Sequence, residues 1–296
     1  MTAREFELIG APFDGAATLG WPGSRYAPAR VRAALDWMTM RIQDGQIYSL
    51  DSGGLEPVGE HLLTDAGDVP VVPHDLLATL QRCSQAVAAA VQRQRVPILV
   101  GGDDSLLFAC ARGLHDAVSG SVGIIHFDAH LDLMDESERQ GRFSHSSGMR
   151  RALELARVEP DRCIQVGPRN FNFPSSRAFK QDAGVAHISA VECHQLGSEA
   201  VVERVLARVG GAEHLFLSFD IDAIDPAHAP GAGALEPGGL TSRFALDAVR
   251  ALAPHCQAMA LTEVNPLMDQ HDMTATLAAY LVFTFAVFGA GAPGVG

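Results

Sequence analysis

The sequence predicts an α/β fold, with a mostly parallel central sheet covered by helices on both faces, and three observations carry that expectation. Short apolar β-type runs alternate with longer Ala/Leu/Arg-rich segments along the 296 residues, as repeated βαβ units require. Hydrophobic residues make up 47% and aromatics only 6%, which suits helices packed on a parallel sheet better than an aromatic-rich sandwich. No polar or low-complexity stretch interrupts the chain, so one domain spanning residues 1–296 is expected rather than two small ones.

Taken in order, the strands are expected in "EFELIGAP" (5–12), "VPILVGG" (96–102), "SVGIIHFD" (121–128), "RCIQVGP" (162–168), "HLFLSFDID" (214–222) and "QAMALTEVNP" (257–266). Each is a continuous apolar run closed by Gly, Pro or acidic residues, the pattern of a strand buried on both faces. Helices are expected in the intervening stretches, notably Pro73 to Gln94 and Ser242 to Leu252, where apolar residues recur at helical spacing with Pro or Gly near the ends. Strands joined this way lie parallel through right-handed crossovers. The Gly/Pro-rich tail "GAGAPGVG" (289–296) is expected to be loose.

The formal net charge of −13 disfavours nucleic acid and anionic lipid as partners and favours a cationic small molecule. The five cysteines are odd in number and free of any C-x-x-C pair, so buried reduced thiols are expected instead of disulfides or a zinc knuckle. The N-terminus lacks a basic region followed by an apolar stretch, and no run reaches membrane-spanning length, so a cytoplasmic location is expected.

Four strand ends carry polar clusters: "GGDDS", "DAHLD", "DIDAIDP" and "EVNP". In open α/β sheets ligands bind at the carboxyl edge, so these loops, distant in sequence, are expected to meet in one crevice. If extended geometry persists through "DAHLD", then Asp128, His130 and Asp132 point the same way, and Asp220 and Asp222 form a second such row. Crowded carboxylates are pushed toward protonation unless cations neutralise them. Oxygen-rich sites with an imidazole favour Mn²⁺ or Mg²⁺ over thiolate-bound zinc, and a pair of ions about 3.5–4 Å apart makes hydroxide available near neutral pH. Taken singly, each motif has a blander explanation: a D-x-D is often a turn, and "GGDDS" can be a helix start capped by Asp104 or Ser105.

Taken together, "GGDDS" (101–105), "FDAHLD" (127–132), the block from Ser218 to Leu240 and "EVNP" (263–266) closely resemble the signature blocks of the ureohydrolases, the arginase and agmatinase family. "GAPFDGAATLGWPGSRYAPARVR", "DAGDVP" (65–70) and "HSSGMRRALE" (145–154) extend the resemblance over nearly the whole chain. It implies a three-layer α/β/α fold with two Mn²⁺ per subunit and an agmatinase-like hydrolysis of a guanidino compound, releasing urea by attack of a metal-bridging hydroxide. It further implies that Asp128 and Asp220 bridge the ions, that Asp132, also placed among the catalytic residues, completes the first, and that His130 and Asp222 complete the second. Glu263 resembles the acid that holds the guanidinium, and His145 the histidine that shuttles protons, with Ser147 the alternative at that position. A trimer or hexamer is also implied.

Asp104 stands where the family usually has a metal-binding histidine. Five ligand carboxylates instead of four should weaken Lewis acidity and move activity to higher pH. That departure, with Ser146-Ser147-Gly148, keeps a formimidoylglutamase-type hydrolase of a formimino group as an alternative, and a non-catalytic ligand-binding relative as another. Arg169 either faces a substrate carboxylate or braces the sheet edge. The loop acids Asp135, Glu136 and Glu138 either attract a second amino group, as in agmatine, or are simply solvated.

Overall fold

A computed structural model of the protein describes residues 4–292; residues 293–296 of the Gly/Pro-rich tail lie outside the described residues. In chain order the main elements are β1 (Phe6–Gly10), α1 (Ala27–Thr39), β2 (Gln46–Ser49), β3 (Gly54–Pro57), β4 (Leu63–Asp68), α2 (Leu76–Gln92), β5 (Val96–Val100), α3 (Ser105–Ala117), β6 (Val122–Phe127), α4 (Gly148–Ala152), β7 (Val158–Val166), α5 (Pro174–Ala183), β8 (Ala186–Ile188), α6 (Ala190–Val209), β9 (His214–Asp220), α7 (Ser242–Leu252), β10 (Ala258–Thr262) and α8 (Met273–Gly289). Eight strands form one sheet in the order β4-β1-β5-β10-β9-β6-β7-β8, while β2 and β3 form a separate antiparallel hairpin. Every pair in the large sheet is parallel.

Helices cover both faces. Buried side chains of α1, α6, α7 and α8 form one core with Leu8, Ile125, Phe127, Leu217 and Phe219. Those of α2, α3 and α4 form the other with Ile9, Leu99, Ile124, Phe216 and Ala260. This is the three-layer arrangement that the strand-helix alternation predicts. The strands β1, β5, β6 and β10 are buried throughout, which is why their sequences read as unbroken apolar runs. The helix α2 starts where the Asp75 side chain accepts the Ala78 amide, and α7 starts where Thr241 accepts the Phe244 amide. All five cysteines are free and buried. Among the described residues no helix is long and apolar enough to cross a membrane.

Beyond the six expected strands the structure adds β2, β3, β4 and β8, and two of the unsignalled elements show why the sequence pattern misses them. Strand β4, "LTDAGD", is polar because it lies at the edge of the sheet, where its Asp65 and Asp68 pair with Arg32 at 2.8 and 2.5 Å. Helix α8 is apolar on nearly every side, so no helical period shows; it packs between α1 and α7, with Phe285 edge-on to Phe6 at 5.8 Å.

The topology creates the crevice. The chain leaves β5 through α3 for β6, three places away, and β9 and β10 later fill the two places between, so that β5, β10, β9 and β6 lie side by side at the centre. All four run the same way, and their carboxyl ends deliver Asp104, Glu263, Asp220 and Asp128 to one edge.

Candidate metal centre

The acids do not form extended rows. Strand β6 stops at Phe127, and Asp132 adopts a left-handed backbone with φ 48°, so the alternation predicted through "DAHLD" is broken. Turns do the gathering instead. Asp128 Oδ1 accepts the His130 amide at 2.5 Å, and Asp220 Oδ1 accepts the Asp222 amide at 2.8 Å as β9 passes into a short 3-10 turn, Ile221–Ala223. Each motif folds as an Asx turn through one carboxylate oxygen and leaves the other oxygen free. The turn and ligand explanations are therefore compatible.

"GGDDS" is more decisive. Asp104 sits at the N-cap position of α3 but makes no capping bond. Its Oδ1 accepts the Thr262 hydroxyl at 2.7 Å, and its Oδ2 points inward, 3.8 Å from His126 Nε2. The neighbouring Asp103 does the structural work, accepting the Ser105 amide and hydroxyl through Oδ1 and the Ala16 amide through Oδ2.

Two groups converge. Asp104, His126 and Asp128 form a fully buried one, with His126 Nε2 2.9 Å from Asp128 Oδ2. Asp128, His130 and Asp222 form the other, with His130 Nδ1 3.0 Å from Asp222 Oδ2 and 3.4 Å from Asp128 Oδ1. Asp128 belongs to both. Asp132 and Asp220 face the same cavity without completing either group. The buried atoms Asp104 Oδ2, His126 Nε2 and Asp128 Oδ2 have no hydrogen-bond partner among the described residues although they face one another. Buried polar atoms are rarely left so, and a hard cation among these oxygens would satisfy them.

The charge pattern shows the same demand. Burial, opposed by His126 and reinforced by Asp128, pushes the Asp104 carboxyl up to about 7. Asp132 and Asp220 are also raised by burial and by the carboxylates beside them. Asp128, despite its burial, is held ionised, well below the usual carboxylate range, by His126 and His130. Burial works against the charge on His130, but Asp222 and Asp128 push its imidazole up to about 12. Without cations the cluster holds protons in their place.

His126 is the residue that sequence reasoning passed over. It lies two positions before Asp128, on the face of β6 that carries Ile124, so strand alternation alone could have found it. Gln165 Nε2 donates to the Leu131 carbonyl at 2.7 Å and lies 3.1 Å from His126 Nδ1. That makes Nδ1 an acceptor and puts the proton on Nε2, between the two carboxylates. His126 thus faces Asp128 and Asp104 through Nε2, at 2.9 and 3.8 Å, without a hydrogen bond to either.

Above the acids, Glu263 and His145 close the cavity. Glu263 has φ 61°, and its Oε1 accepts the Asp104 amide at 3.0 Å and lies 3.5 Å from His145 Nδ1. The Leu19 amide donates to His145 Nε2 at 3.3 Å, so the imidazole proton sits on Nδ1, facing Glu263. His145 and Ser146 line the cavity. Ser147 does not: its buried hydroxyl accepts the Ser144 amide and serves the turn that starts α4.

Arg169 takes the bracing role and not the substrate-binding one. Its guanidinium donates to the main-chain carbonyls of Gly167, Asp222, Ala223 and Glu236, all between 2.6 and 3.3 Å. No donor remains for a carboxylate, and Arg169 is not part of the cavity wall. Nor do the loop acids reach the cavity: Asp135 pairs with Arg142, Arg150 and Arg151, and neither Glu136 nor Glu138 lines the wall.

Known proteins resemble this chain in sequence and fold. The Arginase family sequence profile matches residues 4–287. Guanidinopropionase of Pseudomonas aeruginosa is 35% identical over 283 residues, covering 95% of this chain and 85% of that enzyme. Among solved structures, proclavaminate amidinohydrolase of Streptomyces clavuligerus superposes with a TM-score of 0.85 at 28% identity, covering 98% of this chain and 93% of that one. Formimidoylglutamase of Bacillus subtilis gives 0.86 at 27% identity, over 99% and 89% of the two chains. With the profile spanning almost its full length and the fold superposing throughout, the chain belongs to the arginase family.

Proposed function

We propose that this arginase-family hydrolase cleaves a small guanidino compound with water at a pair of divalent cations, manganese by resemblance, releasing urea and an amine. One water adds to the guanidinium carbon and the C–N bond to the tail breaks. A protonated guanidine and water thus become urea and an ammonium ion, with no redox partner. The observation that carries this proposal is the convergence of buried aspartates from β5, β6 and β9 beneath Glu263 and His145, with inward-facing oxygens left unpaired.

Asp104, Asp128, His130, Asp132, Asp220 and Asp222 would hold the ions. Bound there, the ions supply Lewis acidity and a water that ionises near neutral pH. The remaining steps belong to the chain. Glu263 offers carboxylate oxygens to the guanidinium N–H groups and fixes the otherwise unreactive cation over the acids. Burial opposes the charge on His145, but Glu263 and Asp103 raise its pKa, which favours its taking up a proton, and its Nδ1 faces Glu263 where the leaving amine would need one.

Assaying the manganese-loaded protein for urea, ammonia and formamide release from guanidino and formimino compounds tests this. Urea from a guanidino compound is expected, and formamide from a formimino compound as the main product would overturn it. Asp104→His replaces one ligand carboxylate with a neutral group, so the acidic limb of kcat/KM should move down by about one pH unit. An unmoved limb would show that Asp104 does not feel the reacting water.

The family resemblance also carries a trimer or hexamer. Trp37, Met40, Tyr48, Leu50 and Leu55 are exposed at the end of α1 and on the β2–β3 hairpin, an apolar surface suited to burial between subunits. Light scattering is expected to give three or six times the 31.4 kDa chain mass, and a monomer would refute the proposal.

A further inference from the structure

The cavity above the acids holds about 180 Å³, and its lining divides by chemistry. Asp104, Asp132, Asp220, Asp222 and Glu263 are its acids, with His130 and His145 beside them. The rest of the wall is mainly apolar, Leu19, Leu133, Met134, Phe171 and Phe173, with Ser146, Asn172 and Ser176 as its uncharged polar groups, and the exposed Phe171 and Phe173 mark its mouth. Among the described residues no Lys or Arg lines it.

The segment that carries the two rings is anchored at its start. Phe171 and Phe173 belong to the β7–α5 connection, and this is the segment that Arg169 ties to four carbonyls. Asn170 adds a 2.5 Å bond to Glu236 Oε2. Phe171 is 96% exposed and Phe173 51%, so both present ring surface to whatever enters. Arg177 and Lys180 lie in a separate cavity that shares only Asn172 with this one. Lys180 Nζ is already 2.5 Å from His187 Nδ1.

We propose that the site takes guanidino compounds with an uncharged apolar tail, alkyl- or arylalkylguanidines, in preference to guanidino acids or diamines. This rests on the hydrolase proposal above and specifies its substrate class. The charges decide the direction. The guanidinium head meets five carboxylates that outnumber the two lining imidazoles, whereas a carboxylate tail would give up its water beside apolar walls that hold no Lys or Arg and close to that excess of like charge. An ammonium tail finds no acid at the mouth either, since Asp135, Glu136 and Glu138 lie off the wall. An apolar tail loses nothing on desolvation and covers the exposed rings.

The test compares phenethylguanidine, butylguanidine, 4-guanidinobutyrate and agmatine on the manganese-loaded full chain, by urea release and by calorimetric binding. Phenethylguanidine is expected to exceed 4-guanidinobutyrate in kcat/KM by about 10-fold or more, the reward for one buried apolar group. Equal or better turnover of the acid or of agmatine would overturn the proposal. Should no compound yield urea, the hydrolase assignment fails, and binding still decides the tail: tighter phenethylguanidine supports the proposal, tighter 4-guanidinobutyrate refutes it. Phe171→Ala with Phe173→Ala should raise KM for phenethylguanidine by about 10-fold and narrow its advantage over butylguanidine. An advantage left intact would place the tail elsewhere. Phe173→Arg supplies the missing cation and should shift the ratio of 4-guanidinobutyrate to butylguanidine upward by about 10-fold.

Discussion

Glu263→Gln is expected to lower kcat/KM for a guanidino substrate by on the order of 10²–10³-fold, the usual cost of removing one preorganised electrostatic partner of the reacting group. The substitution isolates charge from shape. Glutamine keeps an oxygen to accept the Asp104 amide, so the loop from β10 stays docked on the start of α3. What goes is the negative charge proposed to fix the guanidinium. Position 263 is also one of the left-handed residues, and with Asp132 it places two site side chains on uncommon backbone; such conformations cost about 1–3 kcal/mol each and persist where the surroundings enforce them. That the chain tolerates this at Glu263 accords with the demand for a carboxylate at one point. Manganese binding, counted by calorimetry, should be preserved, and His145, freed from its acidic partner, should titrate at lower pH. A kcat/KM within a few-fold of the wild type would remove Glu263 from the substrate's grasp.

The central strands could be read from sequence because burial on both faces leaves no choice of residue. Strands β5, β6, β9 and β10 appear as apolar runs with abrupt polar ends, and those ends are the site. Where burial is one-sided or total the pattern fades: β4 is masked by its edge position, and α8 by apolar residues all round. At the site, residue types were legible before geometry. Alternation suggested an extended row from Asp128 to Asp132, whereas hydrogen bonding of each Asp to the amide two residues on turns the chain and gathers the side chains from a loop. Arg169 could not be assigned from sequence, because a guanidinium donates equally well to a substrate carboxylate or to main-chain carbonyls, and only the loop closure from Asp222 to Glu236 decides between them. Asp104 likewise needed its neighbours. Its Oδ1 is held by the Thr262 hydroxyl while its Oδ2 is directed inward toward His126, so the departure from histidine is accommodated by the surrounding structure.

Asp220→Asn should abolish turnover yet stabilise the metal-free protein, two effects of opposite sign from one carboxylate. Loss of a carboxylate proposed to hold the ions is expected to remove several kcal/mol of charge stabilisation, on the order of 10³-fold or more in rate. In the metal-free state the same group is a liability: burial and the neighbouring Asp222, Asp128, Glu263 and Asp104 raise its pKa well above 3.8. A carboxyl raised in the folded state contributes fully only below its unfolded value of 3.8, and that contribution is lost as pH rises toward the folded value, because the folded chain must then hold a proton or suffer repulsion. Asparagine carries no such dependence and still accepts the Asp222 amide through Oδ1. In chelator, the variant should therefore match the wild type near pH 4 and melt higher by about 2–4 °C per kcal/mol of relieved repulsion near pH 8. Manganese should reverse the order at pH 8, since ligation adds stability only where the ions bind, about 2.7 kcal/mol for each site at 100-fold excess over Kd. Melting curves at both pH values, with and without manganese, give the answer. A variant that melts below wild type in chelator at pH 8 would mean that the aspartates are not crowded together, and the case for cations among them would fall with it.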